Sequence, residues 1–360
     1  MSAPAPYPGR VTRLRAALRR RGLSAVLITH LPNVRWLCGF SGSAGSLLVS
    51  ARDVVFFSDF RYRAQGRREV RGARRFEYAG GSVEAVAAAV RHARVARLGF
   101  ESDRMTVAAH GDLAAALTRS ELVPLCGMVE GLRAVKDPAE VALIRRAIAI
   151  AGRALAVSTR RLAGKSEIAI ASRLQAEIRR EGGDEESFPT IVASGARAAL
   201  PHGLPSSRVI GGSELVIIDF GVRLSGYCSD TTRTFSPSKW DNKSKEIYRV
   251  VLEAQHAALT VIGPGVKGRD VDAAAREVIE RAGHGKHFGH GTGHGVGLEV
   301  HEQPVLSPRS GDTLAPGMVV TVEPGIYVEN FGGVRIEDMV LVTETGREIL
   351  SRRIPKLLER

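Results

Sequence analysis

Leu215-Val216-Ile217-Ile218-Asp219-Phe220-Gly221, followed by Arg223-Leu224-Ser225-Gly226 and then by Ser229-Asp230-Thr231-Thr232-Arg233-Thr234, reads as a β-hairpin that carries an acid on each arm. With the hairpin centred between Leu224 and Ser225, Asp219 and Asp230 become direct cross-strand partners, their Cβ atoms about 4.5–5.5 Å apart on one face. Two bare carboxylates that close repel one another unless cations sit between them. A second hairpin repeats the pattern. Val319–Glu323 and Val334–Val342 are apolar strands, and Glu323 and Glu337 flank the loop Val328–Gly333, whose centre lies near Asn330. Arg335 is two residues from Glu337 and so shares its face. An arginine there is expected to order the glutamates through a bidentate contact, whereas Asp338 faces the other side.

Histidine supplies a fifth donor. Five of the ten histidines fall between His284 and His301, around His290-Gly291-Thr292-Gly293-His294-Gly295-Val296-Gly297, a glycine-rich loop that lets backbone approach a ligand closely. Asp219, Asp230, His294, Glu323 and Glu337 therefore define a hard, oxygen-rich site for two divalent cations. That donor set suits Mn²⁺ first, with Co²⁺ or Zn²⁺ as substitutes. His284 and His287 read as surface residues.

Around this site the chain reads as two domains, 1–128 and 129–360. In the first, helices at Val11–Arg20, Val83–Arg94 and Thr106–Thr118 alternate with strands at Ala25–Thr29, Ser46–Ser50, Val54–Ser58, Arg97–Phe100 and Leu122–Leu125, while Leu31–Gly39 reads as a loop. That order predicts a mixed sheet covered by helices. The second domain opens on Asp137-Pro138-Ala139-Glu140, an N-cap with proline at the first helical position and glutamate three residues after the cap. Further helices are expected at Ile168–Glu181, Ser244–Ile262 and Val271–Ala282. Amphipathic helices backing hairpin-built sheets make an α+β fold.

Composition bounds the remaining possibilities. No apolar run approaches a membrane span of roughly 18–20 residues. The arginine-rich Val11–Arg21 breaks at Gly22 and runs into a strand, which is a surface helix rather than a secretory segment. Cys38, Cys126 and Cys228 show neither metal-knuckle spacing nor a disulfide framework, and the expected compartment is the cytoplasm. The net charge of +13 raises nucleic-acid binding, but the basic residues are spread through both halves without aromatic interleaving. The densest patch, Arg61–Arg75 with seven arginines, reads as a solvated face or an oligomer contact.

Asp219-Phe220-Gly221, Ser229–Thr234, His290–Gly297, Glu323-Pro324-Gly325 and Arg335-Ile336-Glu337-Asp338 together resemble the pita-bread metallopeptidases, and within them the Xaa-Pro peptidases, prolidase and aminopeptidase P. Asn33–Phe40 and Asp59–Tyr62 resemble segments of that group's N-terminal, creatinase-like domain. The resemblance implies a C-terminal pita-bread catalytic domain, two metal ions held by the five residues, and Glu323 as the proton shuttle. It places His202 and His301 at positions that bind substrate and stabilise the tetrahedral intermediate. His290 is placed on the proline-side pocket. It also implies a homodimer acting on short proline-containing peptides. Arg35 is the candidate reader of a free carboxylate behind proline, the group that separates a dipeptidase from aminopeptidase P. The dipeptidase is the expected activity; a catalytically silent binding protein on the same fold is the other class.

Overall fold

The computed structural model describes residues 6–238 and 240–356. The chain divides into two units between Arg133 and Ala134. This lies five residues beyond the expected 128/129 boundary because Met128–Arg133 is a helix that belongs to the first unit. Its Arg133 is buried and donates to Asn33 Oδ1 at 2.6 Å.

The first unit is a six-stranded mixed sheet. Ala25–Ile28 at its centre pairs parallel with Arg97–Glu101 and antiparallel with Ser46–Ser50. Leu31–Cys38, expected as a loop, is a helix. Pro32 opens its first turn, Val34, Trp36 and Leu37 are buried, and Gly39 at φ 87° closes it with its N–H on the Arg35 carbonyl. Two further elements went unread, the helix Arg63–Glu69 and the exposed edge strand Arg74–Glu77, both inside the arginine-rich patch. Their polar surfaces carry no apolar periodicity to betray them.

The second unit opens on the helix Pro138–Ser158 with the expected reciprocal cap: Asp137 Oδ1 accepts from Ala139 and Glu140 N–H, and Glu140 accepts from Asp137 N–H. The first acid-bearing hairpin forms with a displaced register. Val216–Phe220 pairs with Thr231–Phe235, Asp219 lies opposite Thr232, and Leu224 lies opposite Tyr227. The turn residues are Ser225 and Gly226, both at positive φ (49° and 85°), the turn geometry that matches strand twist. The turn thus falls one residue later than expected and the pairing slips by two. Asp230 is a diagonal partner of Asp219, not the direct one. A slip of two preserves side-chain parity, so both acids still share a face.

The second hairpin is centred on Asn330 as expected, at φ 60°. Gly325–Val328 pairs with Gly332–Arg335, and Val319–Val322 pairs with Asp338–Val342 in the same continuous register. Val334–Val342 is nevertheless two strands, interrupted at Ile336-Glu337 opposite Glu323-Pro324. Pro324 has no N–H to donate to a ladder, which opens the sheet there. Along this hairpin Val320, Val322, Ile326, Val334, Ile336 and Val340 join the core formed with the helices Asn242–Val261 and Gly268–Arg281. Burying each such side chain contributes about 1.5–3 kcal/mol. The alternate positions, among them Thr321, Glu323, Tyr327, Arg335 and Glu337, are left for the other face.

Candidate metal centre

Asp219 is the penultimate residue of its strand, Asp230 precedes the partner strand, and Glu323 and Glu337 stand opposite each other at the break in the second hairpin. His294 comes from the short strand Gly293–Gly295, which pairs with Val319–Val322. Glycine at 293 is required there, because a Cβ would lie 2.1 Å from the Thr321 carbonyl oxygen. The five side chains meet. His294 Nε2 is 3.2 Å from Glu323 Oε1 and 3.6 Å from Asp230 Oδ2. Asp230, His294 and Glu337 each place one ligand atom within 4.8 Å of the others.

The charges in this cluster do not balance without cations. Burial pushes the Asp230 and Glu337 carboxyls well above the usual range, and the neighbouring acids push them further. Burial raises Asp219 as well. Burial also opposes charge on Glu323, but the hydrogen bond and charge of His294, with Arg335 and His290, outweigh it and hold Glu323 at about 2. His294 is raised in return: burial disfavours its proton, and its bond to Glu323 more than restores it. Asp219 Oδ1 and Glu337 Oε1 are buried with no hydrogen-bond partner among the described residues. Such orphaned oxygens are costly as they stand. Four carboxylates and one imidazole with spare inward lone pairs fit a pair of hard divalent cations.

Arg335 does not make the expected bidentate contact with the glutamates. Its Nη2 donates to Asp219 Oδ2 at 2.7 Å, and its Nε donates to Thr232 Oγ1 at 3.0 Å. The Thr232 hydroxyl in turn donates to Glu337 Oε2 at 2.8 Å, so the arginine reaches a glutamate only through threonine. Asp338 faces away as expected, onto Arg233 and Lys356.

Four of these donors, all but Glu337, line a cavity of about 520 Å³ together with Phe188, Ile191, Leu204, Val300, His202, His290, His301 and Arg335. His301 packs edge-on against His294 with ring centroids 4.3 Å apart, and His202 is exposed. His290 is the end of a directed chain that its residue type alone did not reveal. Arg335 Nη1 donates to the Tyr327 hydroxyl (2.8 Å), that hydroxyl meets His290 Nε2 (2.9 Å), and His290 Nδ1 meets the Gly291 carbonyl (2.8 Å). The carbonyl can only accept, so Nδ1 carries the proton and Nε2 accepts from tyrosine. Burial favours this arrangement twice, lowering His290 and pushing Tyr327 up to about 12. Arg35 lies in the first unit, half-buried on the helix Leu31–Cys38. His284 and His287 are half-buried against each other and do not line the cavity.

Three supporting residues escaped the sequence reading: Thr232, Thr321 and Tyr327. Thr321 Oγ1 donates to Glu323 and accepts from His294 N–H. A two-residue period was the available signal, because Thr321, Glu323 and Tyr327 share one strand face.

Residues 142–344 match Metallopeptidase family M24, and residues 10–135 match the Creatinase/Prolidase N-terminal domain. An uncharacterized peptidase, YqhT of Bacillus subtilis, is 42% identical over 97% of this chain and 99% of its own length. A solved Xaa-Pro dipeptidase from Bacillus anthracis superposes with a TM-score of 0.94 at 41% identity, covering 97% of this chain and 98% of that one. A solved X-Pro aminopeptidase from Thermotoga maritima gives a TM-score of 0.86 at 36% identity over 93% and 97%. The chain thus belongs to metallopeptidase family M24 and is a metal-dependent peptidase.

Proposed function

We propose that this protein hydrolyses the peptide bond before proline, in dipeptides before longer peptides. The observation that carries the reading is the cavity. Four of the five metal-competent donors line it, apolar walls at Phe188, Ile191 and Leu204 suit a pyrrolidine ring, and three histidines besides His294 line the same space. Two relatives that cover nearly the whole chain, one from Pyrococcus horikoshii and the solved Bacillus anthracis protein, are named Xaa-Pro dipeptidases. A silent binding protein would have no need of four clustered acids that repel one another when bare.

Asp219, Asp230, His294, Glu323 and Glu337 would hold two divalent ions, Mn²⁺ before Co²⁺ or Zn²⁺. When bound, the ions supply Lewis-acid activation of water and of the scissile carbonyl. Glu323 takes the proton of the attacking water and passes it to the proline nitrogen as the carbon–nitrogen bond breaks. His202 and His301 donate to the oxygen that gains charge. Tyr327 and Arg335 lock His290 in one tautomer, so that wall presents a fixed, neutral ring. Tyr327→Phe should therefore lower kcat/KM roughly tenfold, at the weak end of losses for such supporting groups, in a protein that still unfolds cooperatively; steady-state kinetics beside thermal denaturation tests this.

The thiols of Cys38, Cys126 and Cys228 are free, which fits a reducing cytoplasm. The homodimer stays part of this proposal. Aminopeptidase P is the second reading, favoured by the Thermotoga neighbour. The deciding assay compares a Xaa-Pro dipeptide, a Xaa-Pro-Yaa tripeptide and a dipeptide without proline, after chelation and return of Mn²⁺. The dipeptide with proline should be cleaved fastest. If Arg35 reads its carboxylate, Arg35→Ala should shrink the dipeptide preference about tenfold, the worth of one charge-assisted hydrogen bond of about 1.5 kcal/mol. Equal preference in both proteins removes Arg35 from the account. Equal cleavage of the substrate without proline removes the proline-directed reading.

A further inference from the structure

Outside the five ligands, one buried ion pair lies behind three site residues at once. Asp272 and Arg276 are one turn apart on the helix Gly268–Arg281 and form a two-point bridge, Nε to Oδ2 at 2.8 Å and Nη2 to Oδ1 at 3.0 Å. Asp272 is 1% exposed. Its Oδ1 also accepts from Thr292 N–H at 3.0 Å and from the Thr292 hydroxyl at 2.9 Å. The remaining guanidinium donors go to the carbonyls of Phe288 (3.0 Å) and His290 (2.9 Å), with the guanidinium carbon 4.3 Å from the centre of the Phe288 ring. Thr292 passes the constraint onward, because its carbonyl accepts from Glu323 N–H at 2.8 Å.

The loop needs such an anchor. Glycines at 289, 291, 293, 295 and 297 leave it much conformational freedom to lose, and the close approach at Gly293 rules out a side chain that would stiffen it. A single helical turn supplies the restraint instead, and only arginine's planar fork can satisfy a carboxylate and two carbonyls together. We infer that Asp272 and Arg276 are positioning residues, setting His290, His294 and Glu323 relative to one another. They touch no cavity space themselves and act through Thr292 and the loop carbonyls.

The test uses the full chain, stripped of metal and titrated with Mn²⁺ by calorimetry, with kcat and KM measured on a Xaa-Pro dipeptide. Arg276→Lys keeps the charge beside Asp272 but loses the fork. Thr292→Val removes one bond of the relay without touching the ion pair, and Thr292→Ser keeps that bond. Arg276→Lys and Thr292→Val should each weaken Mn²⁺ binding roughly tenfold or more and lower kcat by a similar factor, with KM changed less than twofold. Thr292→Ser should restore both. Mn²⁺ affinity and kcat within twofold of the parent in folded Thr292→Val would overturn the inference, whether or not Arg276→Lys folds. The kinetic arm rests on the Xaa-Pro reading. A chain that binds Mn²⁺ but cleaves no proline peptide loses that reading, while the difference in affinity between Thr292→Val and Thr292→Ser still decides the positioning role.

Discussion

Glu323→Gln should lower kcat about 10²–10⁴-fold, the range for losing a positioned proton carrier. Glutamine keeps an oxygen toward the site but cannot take or return a proton at neutral pH. Glu323 is also one of the five metal-competent donors, so the variant must be measured at saturating Mn²⁺. A carrier's loss persists there, whereas a ligand's loss recovers. Glu337→Gln is the control, because its carboxylate is buried behind Thr232 and does not line the cavity. Its deficit should shrink as Mn²⁺ rises. If excess metal rescues both variants alike, proton transfer belongs to another group.

Chelation should abolish hydrolysis altogether, and Mn²⁺ should restore it. The stabilisation that Mn²⁺ confers should also grow between pH 5 and pH 8. In the folded chain without metal, Asp230 and Glu337 have carboxyls raised above their ordinary values of 3.8 and 4.5. Between the ordinary and the raised value, the folded state holds more protons than the unfolded state. Stability from these groups therefore falls as pH climbs through that window. His294, raised above 6.5, acts in the same direction, since its favourable proton is lost as pH rises. Glu323 has the opposite sign, but its window lies between 4.5 and about 2, below the range tested. The like charges thus face one another increasingly as pH rises, and cations relieve more at the alkaline end. Differential scanning calorimetry with and without Mn²⁺ at pH 5, 6.5 and 8 measures it. A thermal shift that is flat or shrinks with pH would count against paired cations at these acids.

The acids that the structure brings together were readable from sequence because strand chemistry announces them. Asp219 ends a run of β-branched and aliphatic residues, and Glu323 and Glu337 lie symmetrically about a loop centred on a single asparagine. What failed was register and helix content. A two-residue turn can move one position along Arg223–Gly226 without changing any pattern in the apolar residues, so only the backbone at Ser225 shows where it falls. Leu31–Cys38 is short and opens on proline, and its helical state depends on burial against neighbours distant in sequence, among them the Asn33 contact with Glu101. The polar relays through Thr232, Thr321 and Tyr327 were invisible for a related reason. A hydroxyl has no sequence signature of its own partner, and Thr232 finds Glu337 more than a hundred residues away.

The hairpin centred on Asn330 has one more implication. Glu323 and Glu337 are equidistant from its tip, so the register of the strand pairs on both flanks of the break, and not any side chain, sets their spacing. The protein does not have to evolve that spacing; peptide geometry provides it. Shifting the pairing of one arm by a single residue would turn its acid toward the helices, whereas a shift of two would keep both acids on one face.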